Sequence, residues 1–567
     1  MATTRIGIRP PLSSVVGQGE LFREVLKDDN PNVDHGEVFT RRWVVEMILD
    51  LVGYTPDKDL AQACAIEPSC GTGAFLVPMV ERLAASAAQH GRSLDEAAGA
   101  IVASDLLAEN AAAARRATQN TLVAAGVTEN AARQLASVWV EQRDFLLDPP
   151  AWSSADFVVG NPPYIRLEAV PKTRAAAYRR ACPTMGGRAD IYIGFYETGL
   201  RALRNNGILG FICADRWLRN QYGARLRAMV GGGWSVDAMV SMTGVDAFQD
   251  EVDAYPAVTA IRRAPQETGP LIVSAAPSFG PDDARRVVAL SNRASIRPVA
   301  RARYTAARLD HWFEGEAGWP HGSPAEVALL AKLEAAHPPL EDSATGTRLG
   351  IGIATGADKV FITRDTDAVE PERLLPLALS SDISSGAVSW SGRYLVNPWD
   401  AAGLVDPEDW PRFAGYLGAH RDLLAKRHTA RRGHWYRTID RVVPGLAERP
   451  KLYLPDFKDR IFPVLDDGKT YPQHNLYWVT SDQWDLRVLG GLLMSDIANR
   501  FIEAYSVRMR GGFLRFQAQY LRRIRVPRID SIPRQANLAL ARAFERRDHE
   551  AATAAALPLY GLTELPA

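Results

Sequence analysis

Two kinds of apolar pattern alternate along the first 265 residues of the chain. Val44, Met47, Ile48 and Leu51 recur at helical spacing, as do Leu76, Met79, Val80 and Leu83, and helices are also expected over 106–125 and 190–203. Between them lie short apolar runs at 63–66, 101–105, 138–145, 154–160, 207–213, 236–240 and 257–261, which read as strands. Strands alternating with helices predict an α/β fold of the doubly wound, Rossmann-like kind, its sheet rich in parallel strands. In such a sheet the ligand sits at the carboxyl ends of the strands, which is where Glu67, Asp105, Asp144 and Asn161 fall. Thr40 and Asp190 stand where helix N-caps belong.

The pattern then changes. Residues 266–324 are irregular and rich in Pro, Ala and Arg, and read as a connector. A short helix at 325–335 and a Gly-rich loop at 349–358, feeding a β-run through Lys359, open a second, mixed α+β domain expected over 325–535. Residues 1–35 read as a weakly patterned N-terminal extension, 36–265 as the first domain, and 536–567 as a helical tail. A length of 567 residues supports this division, because it exceeds what one hydrophobic core usually sustains.

Composition narrows the class. The formal net charge is zero, so a nucleic-acid partner would have to be met by local clusters of Lys and Arg. The densest cluster lies at 420–441, where Lys426, Arg427, Arg431, Arg432 and Arg437 are interleaved with His434, Trp435 and Tyr436. Basic and aromatic residues together suit phosphates and bases; a solvated helix face followed by a buried Trp is the plainer alternative. Arg515 and Gln517 are of the types that read guanine and adenine edges, and would equally serve as scaffold. The four cysteines lack Cys-x-x-Cys spacing, which argues against a zinc site or a disulfide framework. No apolar run approaches the roughly 18 residues of a membrane span, and positions 1–11 carry no signal-peptide core, so a cytoplasmic protein is expected.

The chemistry concentrates where the strand at 154–160 runs into Asn161-Pro162-Pro163-Tyr164. The exocyclic amine of a nucleobase is a poor nucleophile, and a site that activates it must accept its hydrogen bonds. The Asn161 side-chain carbonyl and the Pro162 main-chain carbonyl are two such acceptors, held in a turn stiffened by Pro162 and Pro163. Tyr164 offers a flat face on which an extruded base can stack. Asn and Pro are also ordinary turn residues. A second Pro-Pro pair, Asp148-Pro149-Pro150-Ala151, has Ala in the aromatic place, precedes the strand and reads as a loop. Upstream, Gly71 and Gly73 in Glu67-Pro68-Ser69-Cys70-Gly71-Thr72-Gly73 let the backbone pass close to a ligand. Asp105 ends a strand where a carboxylate can take ribose hydroxyls, and Asp144-Phe145 offers an acceptor for an adenine amine beside a ring for the purine.

The order of these motifs resembles the γ-class of DNA adenine-N6 methyltransferases, the TaqI-like group, over residues 36–263 with a looser echo to 527. The resemblance implies an enzyme of a restriction–modification or related phage-defence system that methylates a flipped adenine in double-stranded DNA. S-adenosylmethionine would be the cofactor, no metal would be needed, and a cognate endonuclease or defence-complex subunits would be partners. It further implies that Thr40, Glu67, Ser69, Asp105, Asp144 and Phe145 contact the cofactor, and that Phe248 packs on the other face of the adenine. Asp105 stands where the family more commonly has Glu. The 349–363 stretch and the Gly-Gly-aromatic segment around Phe513 resemble the family's target-recognition domains. The tetrad also suits an RNA-adenine or protein-glutamine methyltransferase, and a specificity module without turnover is the non-enzymatic alternative.

Overall fold

The structure, a computed structural model, describes residues 39–249, 255–506 and 514–566. The chain divides into two compact units, Met1–Ala325 and Glu326–Ala567.

In the first unit the elements run α1 Arg42–Val52, β1 Ala65–Glu67, α2 Leu76–His90, β2 Ile101–Asp105, α3 Ala108–Ala124, α4 Glu129–Trp139, β3 Val140–Gln142 and β4 Ala155–Gly160. They continue with α5 Lys172–Ala181, α6 Tyr192–Ala202, β5 Leu203–Ala214, α7 Ala224–Gly231, β6 Ser235–Ser241 and β7 Pro256–Arg262, then β8 Leu271–Ala275, α8 Pro281–Ser291, β9 Val299–Arg301 and β10 Tyr304–Arg308. The strands form one sheet in the order β3-β2-β1-β4-β5-β7-β6-β8-β10-β9. The five from β3 to β5 are parallel, and β7 runs antiparallel between β5 and β6. Chain order reverses between β1 and β4, which opens a crevice at their carboxyl ends.

Helices cover both faces, and two neighbouring residues of β5 show how. A Cβ at Gly210 would lie 2.5 Å from Val52 Cγ1, so the strand is bare where α1 rests on it. Its neighbour Leu209 points the opposite way and meets Gly199 of α6. The doubly wound expectation therefore holds.

Several boundaries differ from the sequence reading. Residues 138 and 139 end a helix instead of opening a strand, because Ala132, Leu135, Ala136 and Trp139 bury one helical stripe and the Thr128 side chain caps its start. Neither Thr40 nor Asp190 caps a helix: α1 is preceded by Arg41 and α6 by Ile191, neither of which makes a side-chain cap. The largest departure is the stretch 266–324. It is no connector but adds three strands and a helix, with buried Leu271, Ile272 and Val273 pairing β8 in parallel to β6. The first unit accordingly extends to Ala325.

The second unit has mixed α+β architecture, as expected. Its four-stranded antiparallel sheet places Leu476–Thr480 between Arg348–Ile351 and Lys451–Pro455, with Val464–Asp466 at the edge. Another four-stranded sheet is built on Leu374–Ala378 and Tyr394–Val396. Lys359 lies in a short helical turn, Asp358–Phe361, before the strand Ile362–Thr363, so the expected β-run starts later than read. The tail is helical and belongs to this unit's core: Leu540, Ala543 and Phe544 of Arg534–Arg546 are buried, and Phe544 packs on the bare backbone of Gly490. Phe513 and the glycines before it, like residues 1–35, lie outside the described residues. Among the described residues, no helix is long and apolar enough to cross a membrane.

Candidate active site

The carboxyl ends of β1, β2, β3 and β4 surround a cleft with an empty volume of about 910 Å³, solvent at its mouth included. Glu67 ends β1 and is buried, with Oε2 lacking any hydrogen-bond partner among the described residues. Burial, and then the neighbouring charge of Asp105, hold its carboxyl well above the usual carboxylate range. The turn after it carries Gly71 and Gly73 at φ +50° and +108°, values that L side chains rarely adopt.

Asp105 stitches that turn to β2. Its Oδ2 accepts from Gly71 N at 2.9 Å, and its Oδ1 accepts from Leu107 N at 2.9 Å and Asn110 Nδ2 at 3.3 Å. The shorter carboxylate thus shapes the glycine turn as well as lining the cleft. Asp144 accepts from Leu146 N at 3.0 Å and Leu147 N at 3.3 Å through Oδ1, and from the Tyr178 hydroxyl at 2.8 Å through Oδ2. Burial raises its pKa, and the Tyr178 hydrogen bond opposes the shift. Beside it, the rings of Phe145 and Phe195 stack at 5.5 Å and 22°. Asn110, Tyr178 and Phe195 line the cleft and were not singled out from the sequence.

The tetrad forms the other wall. Asn161, Pro162 and Pro163 line the cleft. Asn161 is held on two sides: its main-chain oxygen accepts from Ser69 Oγ at 3.1 Å, and its Nδ2 donates to Thr40 Oγ1 at 3.2 Å. With the amide nitrogen turned to Thr40, the carbonyl oxygen takes the opposite edge of the amide plane. Thr40 and Ser69 are therefore ligands of the tetrad in this structure, beside the cofactor roles expected of them. Thr40 also forms an antiparallel bridge with Phe248, flanked by Arg41 N to Ala247 O at 2.9 Å and Gln249 N to Phe39 O at 2.8 Å.

Tyr164 is partly buried, with its hydroxyl sealed from solvent and lacking a hydrogen-bond partner among the described residues. Its ring lies against Tyr192 and Phe248, each at 6.3 Å and 81°. Phe248 is thus brought next to Tyr164 but stands perpendicular to it and is only 6% exposed, so the two rings do not form a parallel clamp in this conformation.

Acceptors dominate the cleft: Glu67, Asp105 and Asp144 against Arg143, whose guanidinium is already paired with Glu141 and Asp148. Such a lining fits a ligand that carries a positive charge, several hydroxyl or amine donors and a flat ring.

In the second unit the basic residues divide by partner. Lys359, Lys426 and Arg431 are exposed. Arg427 is not available to a phosphate as the sequence reading expected. Its guanidinium donates to the carbonyls of Leu424, Thr355, Trp435 and Arg437 at 2.8–3.1 Å, pinning the loop together. Arg437 is half-buried with its guanidinium 5.9 Å from the Trp399 ring, and Arg515 is half-buried 3.5 Å from Asp456. Gln517 accepts from Gln519 at 3.1 Å. The Arg432 side chain lies outside the described set.

The strand order, with its crevice at the carboxyl ends, is that of a Rossmann-like methyltransferase fold. The Eco57I restriction-modification methylase family matches residues 125–248. The chain is 42% identical over 560 residues to the type II methyltransferase M.PaeR7I of Pseudomonas aeruginosa, spanning 98% of this chain and 96% of that protein. It is also 42% identical over 550 residues to the type II methyltransferase M.XhoI of Xanthomonas vasicola, spanning 94% and 98%. Among solved structures, the type IIL restriction-modification enzyme MmeI in complex with DNA shares the fold at a TM-score of 0.54 and 11% identity, over 93% of this chain and 74% of that one. The chain belongs to the type II methyltransferases of restriction–modification systems. It is a DNA methyltransferase.

Proposed function

We propose that the enzyme methylates N6 of an adenine flipped out of double-stranded DNA, with S-adenosylmethionine as methyl donor, and so protects that DNA from a cognate nuclease. The observation that carries this reading is the Asn161 amide, fixed by Thr40 at the rim of an acceptor-rich cleft.

S-adenosylmethionine supplies an electrophilic methyl group on a positively charged sulfur. Glu67 and Asp105 would take its ribose hydroxyls, Asp144 its adenine amine, and Phe145 with Phe195 the purine face. Asn161 Oδ1 and the Pro162 carbonyl accept the two hydrogens of the target amine. This turns the nitrogen lone pair out of the ring plane and stabilises the positive charge that develops during in-line attack. Tyr164 stacks on the base, an interaction worth about 1–3 kcal/mol, which offsets part of the cost of extruding it. In the second unit, exposed Lys359, Lys426 and Arg431 are proposed phosphate contacts of a target-recognition domain.

The test is to incubate wild type and Asn161→Ala with cofactor and unmethylated genomic DNA, digest to nucleosides and quantify methylated bases by mass spectrometry. N6-methyladenine produced by wild type and lost in the variant supports the proposal. N4-methylcytosine in its place overturns the choice of base, and no methylated base from an active-site-intact protein overturns DNA as substrate.

A further inference from the structure

A buried donor in the cleft, the Tyr178 hydroxyl, serves neither the tetrad nor the glycine turn. Tyr178 sits in α5, the helix that follows the tetrad, and is 4% exposed. Its hydroxyl is directed at neither solvent nor a main-chain carbonyl but at Asp144 Oδ2, 2.8 Å away. Asp144 is itself 3% exposed and receives Leu146 N and Leu147 N on Oδ1. A carboxylate has about four lone-pair sites, so these three donors fix its plane and leave room for another.

We propose that Tyr178 is a positioning residue for cofactor recognition: its hydroxyl aims the Asp144 carboxylate so that the remaining acceptor site receives the amine of the cofactor's adenine. The inference rests on the S-adenosylmethionine reading of the cleft. A buried carboxylate deprived of this donor either turns toward other donors or takes up a proton, and either change weakens the acceptor that the amine requires. Tyr178 therefore acts on purine identity and not on the methyl group or the target base, and it links the helix after the tetrad to the cofactor side of the cleft.

The experiment measures the dissociation constants of S-adenosylhomocysteine and its inosyl counterpart, in which an oxo group replaces the amine, by titration calorimetry. Wild type, Tyr178→Phe, Asp144→Asn and the double variant are compared. Wild type is expected to prefer the adenosyl ligand. Tyr178→Phe keeps the ring, so the fold is retained; it should weaken adenosyl binding about tenfold, the worth of a hydrogen bond to a charged group. Inosyl binding should change little, so the preference collapses, and the Tyr178→Phe effect should vanish in the Asp144→Asn background. Equal weakening of both ligands, or an undiminished preference, overturns the proposal while leaving the cofactor reading standing. A wild type that binds both ligands equally overturns the inference alone, and a wild type that binds neither overturns the cofactor reading itself, and this inference with it.

Discussion

Thr40 Oγ1 accepts a hydrogen bond from Asn161 Nδ2 at 3.2 Å, joining residues 121 positions apart. The bond fixes the orientation of the Asn161 amide, and under the proposed function it decides which edge of that amide meets the target. Thr40→Val is therefore expected to lower kcat about three- to tenfold, the usual worth of one hydrogen bond, with the KM for cofactor unchanged. Thr40→Ser should retain most of the activity. A raised cofactor KM at constant kcat would show that Thr40 serves the cofactor instead.

The Tyr164 hydroxyl is buried without a partner among the described residues. Removing it costs no hydrogen bond, so Tyr164→Phe is expected to turn over as wild type does and to melt at the same or a slightly higher temperature. Tyr164→Ala loses the stacking face and should weaken binding of DNA carrying an unpaired target base by about 1–3 kcal/mol. Gel-shift titration and calorimetric melting check the pair. A severe defect in Tyr164→Phe would assign the hydroxyl a role in the reaction.

Glu67 makes the ligand-free protein sensitive to pH. Burial and Asp105 raise its pKa above the usual carboxylate range, so the folded state keeps a proton that the unfolded chain has released. Stability from this group is full below the unfolded pKa and falls as pH rises toward the folded one. Glu67→Gln should thus melt higher than wild type at about pH 8 and lose that advantage near pH 4, while cofactor binding is lost. A melting difference that does not vary with pH would refute the assignment.

Arg427 and its neighbours should separate by readout. Arg427→Ala takes the side-chain donor from the carbonyls of Thr355, Trp435 and Arg437 and is expected to destabilise the protein by about 2 kcal/mol or more, seen as a lower melting temperature. Lys426→Ala and Arg431→Ala should leave melting unchanged and each reduce the slope of log Kd against log salt for DNA by about 1. An unchanged slope in both would remove this surface from the DNA interface.

The acceptor chemistry is legible in the sequence because it is carried by contiguous residues at strand ends: Glu67 to Gly73, Asp105, Asp144 with Phe145, and the tetrad. The residues that complete it are not. Phe195 lies on a helix buried on nearly all sides, so periodicity cannot say which ring faces a ligand. Tyr178 meets a carboxylate 34 positions away, a pairing that spacing does not encode, and Asn110, only five residues past Asp105, stands in an Ala-rich helix whose weak apolar pattern does not single it out. Arg427 and Arg431 are alike in type and share one run, yet one meets four carbonyls and the other solvent, a choice made by the path of the loop. In 266–324 the short run Leu271-Ile272-Val273 is a strand signal, but its pairing with β6 is long-range, and the surrounding Pro and Arg dominate the local pattern.

That pairing has a practical side. In the intact protein β8 covers one side of β6, with Ala238 to Ser241 in register with Leu271 to Ser274. A fragment ended at 265 would bare that flank of β6 and present its apolar residues, Met239 and Val240 among them, to any other chain in solution. A fragment carried to Ala325 keeps the flank closed. The place to cut this protein, or to graft a foreign recognition unit onto it, therefore lies at Ala325, some sixty residues beyond the boundary at 265 that the sequence pattern suggests.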